Sequence, residues 1–199
     1  MQHIIKLVIL GRDGILNVYR DDHVKSPDEW EPVHGALEAV ARLNHAGWHT
    51  VVATNQSGIG RGMIDMASIN AVHSHMMHLL AEFGGRLDAV FFCPHTPEEQ
   101  CGCRKPKPGL MQQIGARYGI DLSTVPMVCD TARDLQAAVA AGCEPHLLRS
   151  GRAAALSAVE LQSLVDQTPG ITVHRNLGDF AEFVLERAHV PHSSPMDLR

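Results

Sequence analysis

Five short runs of β-favouring apolar residues recur along the chain, each separated from the next by a helical or turn-rich stretch. The first, Ile4-Ile5-Lys6-Leu7-Val8-Ile9-Leu10, is nearly continuous and stops at Gly11. That is the pattern of a strand buried on both faces of a parallel sheet. Thr50-Val51-Val52-Ala53, Ala89-Val90-Phe91-Phe92, Val125-Pro126-Met127-Val128 and His146-Leu147-Leu148 follow. Strand alternating with helix predicts an α/β fold, a Rossmann-like parallel sheet with helices on both faces. Between the runs, Ala36 to Ala46 places Leu37, Val40, Ala41 and Leu43 on one helical face, and Gly47 follows as a stop. Ala67 to Phe83 repeats the pattern, with shorter versions at Leu110 to Tyr118 and Ala132 to Ala141. Towards the C-terminus, helices are predicted over Ala153 to Val165 and Leu177 to Ala188, around a strand at Ile171 to His174. All of this is expected to form one domain, residues 1–190, followed by a flexible tail over 191–199.

The net charge of −5, with no run of Lys or Arg, lacks the basic footprint that nucleic acid or an anionic membrane requires. No apolar stretch reaches the roughly 20 residues of a membrane span, and Met1 to Leu10 lacks the features of a secretory leader. A cytoplasmic monomer that binds neither nucleic acid nor membrane is the expectation. Any phosphate must be held by a few placed residues.

In an open parallel sheet, ligands bind beyond the carboxyl ends of the strands. Four such loops stand out. Gly11-Arg12-Asp13-Gly14 follows the first run, and Thr54-Asn55-Gln56-Ser57-Gly58 follows the second with hydroxyl, amide and glycine donors. Cys93 to Lys105 follows the third, and Cys129-Asp130-Thr131-Ala132-Arg133-Asp134 the fourth. Taken singly, each also reads as a turn or a helix cap.

The third loop carries its own signal. Cys93-x-His95 and Cys101-x-Cys103, joined by five residues, offer three thiolates and an imidazole, a donor set suited to tetrahedral zinc. With all four positions filled by protein, the expected site is structural and stiffens the segment presenting Arg104 and Lys105. His73, His75 and His78 do not share one helical face and are read as solvated or half-buried, and Cys143 as core.

Together the four loops resemble the phosphatase branch of the haloacid dehalogenase superfamily, whose members share an Asp-x-Asp-Gly loop, a Thr/Ser loop, a lysine and a late acidic loop. Within it, Arg12-Asp13-Gly14, Thr54 to Gly58, the Cys/His loop and Arg104-Lys105-Pro106-Lys107-Pro108-Gly109 look like the histidinol-phosphatase-like subfamily, which includes the heptose bisphosphate phosphatases. The resemblance implies a capless, magnesium-dependent phosphomonoesterase with a zinc-binding loop. It removes phosphate from a small phosphorylated sugar in lipopolysaccharide-core precursor synthesis, with histidinol phosphate as the alternative substrate. By position, it puts the general acid/base on Asp13, a phosphate-steadying hydroxyl on Thr54 and a phosphate-binding lysine on Lys105. It also puts magnesium on the Asp130 carboxylate and the Asp13 backbone carbonyl. Arg12, Tyr19, Arg20, Asp21, Asp22, Asn55, Gln56, Ser57, Arg104 and Thr131 are implied to face the substrate.

The nucleophilic aspartate of the family falls on Gly11, which has no side chain, so an aspartyl-phosphate cannot form there. One carboxylate of the magnesium pair disappears with it. Binding can survive when turnover does not. The competing readings are a catalytically silent sugar-phosphate binder or scaffold, an altered form of a working enzyme, and direct attack by water with Asp13 assisting. Cys129 is a second departure, since the family has glycine before the late aspartate.

Overall fold

The computed structural model describes residues 5–189, so the expected tail at 191–199 lies outside the described residues. Six strands, β1 (Leu7–Leu10), β2 (His49–Asn55), β3 (Ala89–Cys93), β4 (Pro126–Cys129), β5 (Glu144–Leu148) and β6 (Thr172–His174), form one sheet in the order β3-β2-β1-β4-β5-β6. Every pairing is parallel. β1 lies between β2 and β4, with Leu7 opposite His49 and Ile9 opposite Met127, and all four of its residues are buried. This is the doubly wound arrangement, and the strand order reverses between β1 and β4, where such sheets bind ligands.

The helices are α1 (Ala36–His45), α2 (Ser57–Gly60), α3 (Met66–Glu82), α4 (Gly109–Tyr118), α5 (Ala132–Ala141), α6 (Ala158–Asp166) and α7 (Leu177–His189). Because successive strand residues point to opposite faces, each strand feeds two cores. Val8, Leu10, Val52 and Val128 pack with α1, α3 and α7. Leu7, Ile9, Val51 and Met127 pack with α4 and α5, with Leu161 and Leu164 of α6 at the margin. Gly47, at φ 83°, ends α1 in the left-handed conformation that glycine adopts without strain.

Most boundaries differ from the sequence expectation by one or two residues, and three of the differences bear on the packing. The β1–β2 pairing starts at Leu7, and Ile5 and Lys6 are exposed before it. β5 begins two residues early, at Glu144, and includes Pro145. Pro145 pairs with Met127 on one side, whereas β6 joins the other side only from His146 onward, so the missing N–H costs no ladder bond there. The helix expected over Ala153 to Val165 is two elements, a 3-10 turn at Arg152–Ala155 and then α6. Ser157 causes the break: its side chain accepts from the Glu160 N–H, and the Glu160 carboxylate accepts from the Ser157 N–H at 2.8 Å, a capping box that starts a new helix.

Behind the sheet, His146 of β5 and His174 of β6 are buried and stacked, with Nδ1 and Nε2 2.9 Å apart and the Phe180 and Phe183 rings around them. Burial first, then the neighbouring His174 and Arg187 charges, lowers His146 to about 3. Glu144, 3.8 Å from His146 Nε2, is engaged by Arg187. A histidine held neutral in the fold binds fewer protons than in the unfolded chain. Its stabilisation is complete above about pH 6.5 and is lost as pH falls towards its folded value. Denaturant melts should therefore lose about 2 kcal/mol from this residue between pH 6.5 and 5, a window above the titration of ordinary carboxylates. His146→Asn, which keeps a nitrogen near Nδ1, should flatten that slope; an unchanged slope would place the acid sensitivity elsewhere.

Candidate active site

The front loop begins where β1 ends. The Gly11 N–H donates to Val128 O at 3.2 Å, tying the loop to β4, and the Arg12 carbonyl then accepts from the N–H groups of Ile15, Leu16 and Asn17. Gly14 must be glycine: its φ is 84°, and an added Cβ would lie 2.0 Å from Asp130 Oδ2. Gly11 is different. Its φ is not in the left-handed region, and an added Cβ would meet Ile15 Cγ1 at 3.0 Å and Val128 O at 3.7 Å.

Arg12 is turned inward and is 1% exposed. Nη2 donates to Asp13 Oδ1 at 2.9 Å and to Gln56 Oε1 at 3.2 Å, and Nη1 lies 3.3 Å from His73 Nε2. This corrects the reading of His73 as solvated or half-buried. It is buried against Arg12, and burial followed by the Arg12 charge lowers it to about 4, so it meets the guanidinium as a neutral acceptor. His75 is half-buried and His78 exposed.

Asp13 accepts from Arg12 and Asn17 on Oδ1 and from Gln56 on Oδ2 at 2.9 Å, with Thr54 Oγ1 at 3.4 Å. Burial pushes its pKa up, but the Arg12 charge and the hydrogen bonds from Arg12, Asn17 and Gln56 outweigh it, and the net shift is downward. At neutral pH Asp13 is a held carboxylate.

From the end of β2, buried Thr54 accepts from Gln56 Nε2 at 2.9 Å. The Asn55 side chain grips the Lys105 backbone twice, donating to its carbonyl and accepting from its N–H, both at 3.1 Å. Ser57 starts α2 and is buried. Lys105 Nζ donates to Ala53 O at 2.9 Å and pairs with Asp134 Oδ1 at 2.8 Å. Burial pushes Asp134 up, yet Lys105 beside it holds the carboxyl below its ordinary value.

Cys93, His95, Cys101 and Cys103 converge so that one ligand atom from each lies within 4.8 Å of all the others. The Cys103 sulfur is 3.3 Å from Cys93 Sγ, 3.5 Å from Cys101 Sγ and 3.3 Å from His95 Nδ1. A zinc ion bonded to thiolates at about 2.3 Å sets its ligands about 3.8 Å apart, so the cluster needs only slight expansion to fit one. The loop reaches the cavity through Arg104, whose Nη1 donates to His95 O at 3.2 Å.

After β4, Asp130 is 1% exposed. Arg152 closes over it: Nε and the backbone N–H reach Oδ2 at 2.9 and 3.0 Å, and Nη2 reaches Oδ1 at 2.9 Å. The guanidinium carbon sits 4.4 Å from the centroid of the Tyr19 ring. Burial pushes Asp130 above its ordinary value, while Arg152 opposes that rise. Thr131 caps α5, accepting from the Asp134 N–H and donating to Asp134 Oδ2 at 2.8 Å.

Gly11, Asp13, Thr54, Arg104, Lys105 and Arg152 line one cavity at the β1–β4 switch point, and Arg12, Tyr19, Arg20, Asn55, Gln56 and Ser57 share its wall. Thr131 and Asp130 lie outside that lining, as do Asp21 and Asp22. Asp22 is exposed and tied to Arg20 and Lys25. Sequence reading missed His23, Arg133, Asp134 and Arg152, which also line it. Arg133 and Asp134 stood in an inspected loop, and Arg152 stands just beyond β5, where the strand-end rule applies equally.

A family model described as polynucleotide kinase 3 phosphatase matches residues 13–138, and one described as HAD-hydrolase-like matches residues 102–179. The D-glycero-beta-D-manno-heptose-1,7-bisphosphate 7-phosphatase of Bordetella bronchiseptica is 53% identical over 147 residues, 74% of this chain and 82% of that protein. The enzyme of that name from Neisseria meningitidis serogroup B is 40% identical over 189 residues, 95% of this chain and all (100%) of that one. Among solved structures, D,D-heptose 1,7-bisphosphate phosphatase from B. bronchiseptica, complexed with magnesium and phosphate, matches with a TM-score of 0.84 at 46% identity, covering 92% of this chain and 99% of that one. The loops at the switch point, the relatives' identity over nearly the whole chain and the shared sheet agree: this chain belongs to the haloacid dehalogenase-like D-glycero-β-D-manno-heptose-1,7-bisphosphate 7-phosphatase family.

Proposed function

We propose that this chain binds a sugar bisphosphate of the heptose 1,7-bisphosphate type at the β1–β4 cavity and has lost covalent turnover. The observation that carries this is Gly11, placed at the end of β1 in the lining of a cavity that otherwise keeps Asp13, Thr54 and Lys105 together. The terminal phosphate is taken to lie against Lys105, Thr54 and Arg104, with cationic and hydroxyl groups facing its oxygens. Tyr19 and Arg20, on the exposed side of the wall, are assigned to the sugar. A cytoplasmic site of action fits the chemistry of a phosphorylated sugar, and no described helix is long and apolar enough to cross a membrane.

The chemistry open to these residues is limited. In the family's reaction type a carboxylate attacks phosphorus and a second one protonates the leaving oxygen. With Gly11 there is no first carboxylate. Asp13, held ionised, can accept a proton from an attacking water, but in an in-line displacement that water lies opposite the leaving oxygen, so the same carboxyl cannot protonate the leaving group in that step. Zinc is assigned to Cys93, His95, Cys101 and Cys103 as a structural ion, on the chemistry and spacing of the donors. Magnesium fits poorly. It demands near-octahedral oxygen coordination at about 2.0–2.1 Å, and the one carboxylate reserved for it, Asp130, has both oxygens occupied by Arg152.

Calorimetric titration with D-glycero-β-D-manno-heptose 1,7-bisphosphate should show saturable binding, while phosphate release stays at the uncatalysed background. Robust release by the unmodified chain would overturn the lost-turnover reading. Histidinol phosphate binding more tightly than the heptose bisphosphate would overturn the substrate class.

A further inference from the structure

The cavity has a cation of its own beside Asp130, the carboxylate that the family resemblance reserves for magnesium, and its position is fixed by the backbone that carries it. Asp130 is 1% exposed and receives three hydrogen bonds from one residue, the Arg152 backbone N–H, Nε and Nη2, at 3.0, 2.9 and 2.9 Å. The segment bearing Arg152 is seated too closely to be a side chain resting there by chance. A Cβ on the preceding Gly151 would lie 2.5 Å from Gly14 O and 2.7 Å from both Asp130 Cβ and Oδ2. Only glycine allows this backbone to lie on the front loop and on Asp130 together. The 3-10 turn at Arg152–Ala155 begins there, and the Tyr19 ring covers the guanidinium at 4.4 Å. The plane of the fork is thus held by the carboxylate at its edge and the ring on its face.

The substitution at the end of β1 completes the arrangement. A divalent ion is held in such a site by paired carboxylates, and Gly11 leaves Asp130 alone. One buried carboxylate balanced by one guanidinium is neutral, and a dication added to it would meet the fixed positive charge at short range. Guanidinium has five N–H donors, of which the two on Nε and Nη2 contacting Asp130 leave three for a ligand in the cavity that Arg152 lines.

We propose that Arg152 is the resident counter-cation of this site, so that the chain binds phosphate-bearing ligands without a divalent metal. The inference rests on the reading of the cavity as a phosphate site. It assigns Arg152 a binding role and makes Gly151 and Tyr19 the residues that position it. Two losses then belong together: without the aspartate at position 11 there is neither an attacking group nor a metal to orient its target, and what remains is an anion receptor.

The test uses inorganic phosphate as the probe, titrated into the zinc-replete protein with and without added magnesium; chelators are avoided because they would attack the Cys/His cluster. Phosphate should bind without magnesium, its affinity should change less than about twofold when magnesium is added, and magnesium alone should give no binding signal. Arg152→Met should weaken phosphate binding about tenfold or more and make it respond to magnesium, because Asp130 is then free. Arg152→Lys, which keeps the charge and loses the fork, should fall between. An affinity in the unmodified chain that rises tenfold or more with magnesium overturns the proposal while leaving the phosphate site standing. No phosphate binding under either condition overturns both. If Arg152→Met does not fold, the magnesium comparison in the unmodified chain decides alone.

Discussion

Gly11→Asp is expected to raise phosphate release from heptose 1,7-bisphosphate by about a thousandfold or more over the unmodified chain, assayed with magnesium present. The magnitude follows from what nucleophiles contribute: removing one from a covalent mechanism costs on the order of a millionfold in the best-measured case, and part of that is withheld here because Arg152 competes for Asp130. The backbone allows the change. Position 11 is not left-handed, and the nearest atom to the new Cβ is a side-chain carbon, Ile15 Cγ1 at 3.0 Å. Ile15 is fully buried, so the shift it must make costs about 1 kcal/mol of stability, too little to unfold the domain. The measurement is a phosphate-release time course for Gly11→Asp, for Gly11→Asn as an isosteric control without a nucleophilic carboxylate, and for the unmodified chain. If Gly11→Asp folds, binds the bisphosphate and stays at background, while adding Arg152→Ala to it changes nothing, the missing carboxylate is not what separates this chain from a working phosphatase.

The residues differ in how legible they were. β1 could be read from sequence because a strand buried on both faces must be apolar at successive positions, and Leu7 to Leu10 are. The Cys/His cluster was legible because four donors of the right chemistry lie within eleven residues, close enough for sequence spacing to bring them together. His73 was not. Its spacing on α3, four after Ile69 and three before Met76, puts it on the buried stripe, but nothing local supplies the partner that a buried imidazole needs; that partner is Arg12, sixty-one positions away. The Lys105–Asp134 pair is hidden in the same way, since each residue has an ordinary local reading and only the sheet brings them to 2.8 Å. Arg152 is the instructive case. The helical spacing over Ala153 to Val165 runs through Ser157 without interruption, although Ser157-x-x-Glu160 is itself a capping signal. Placing the helix start at Ser157 leaves Gly151-Arg152 as a loop at the carboxyl end of a strand, which is where a ligand-binding residue is sought.

The second large effect lies in the Cys/His loop, and its sign is set by what the loop supports. Purified protein should hold about one equivalent of zinc, and Cys103→Ser, or a strong chelator, should remove it. Of this loop only Cys93, at the end of β3, is fully buried in a core, and Cys101 and Cys103 pack at its margin, so far-ultraviolet dichroism should report an intact sheet. Losing about 3–4 kcal/mol of local stabilisation in a chain of this size corresponds to a drop of about 10 °C in Tm. Ligand binding should suffer more. Arg104 is anchored on the carbonyl of His95, itself a zinc ligand in this reading, and Lys105 follows it directly, so releasing the loop frees Arg104 from the wall of the cavity and loosens the backbone that carries Lys105. Asn55, gripping the Lys105 backbone from β2, limits how far the lysine can move but does not reach Arg104. Phosphate affinity should therefore fall about tenfold or more in Cys103→Ser, the size of effect that loss of supporting contacts has in other metal sites. A protein that is free of zinc as purified, with unchanged melting and unchanged phosphate affinity in Cys103→Ser, would show that these thiols are reduced core residues and that the loop stands without an ion.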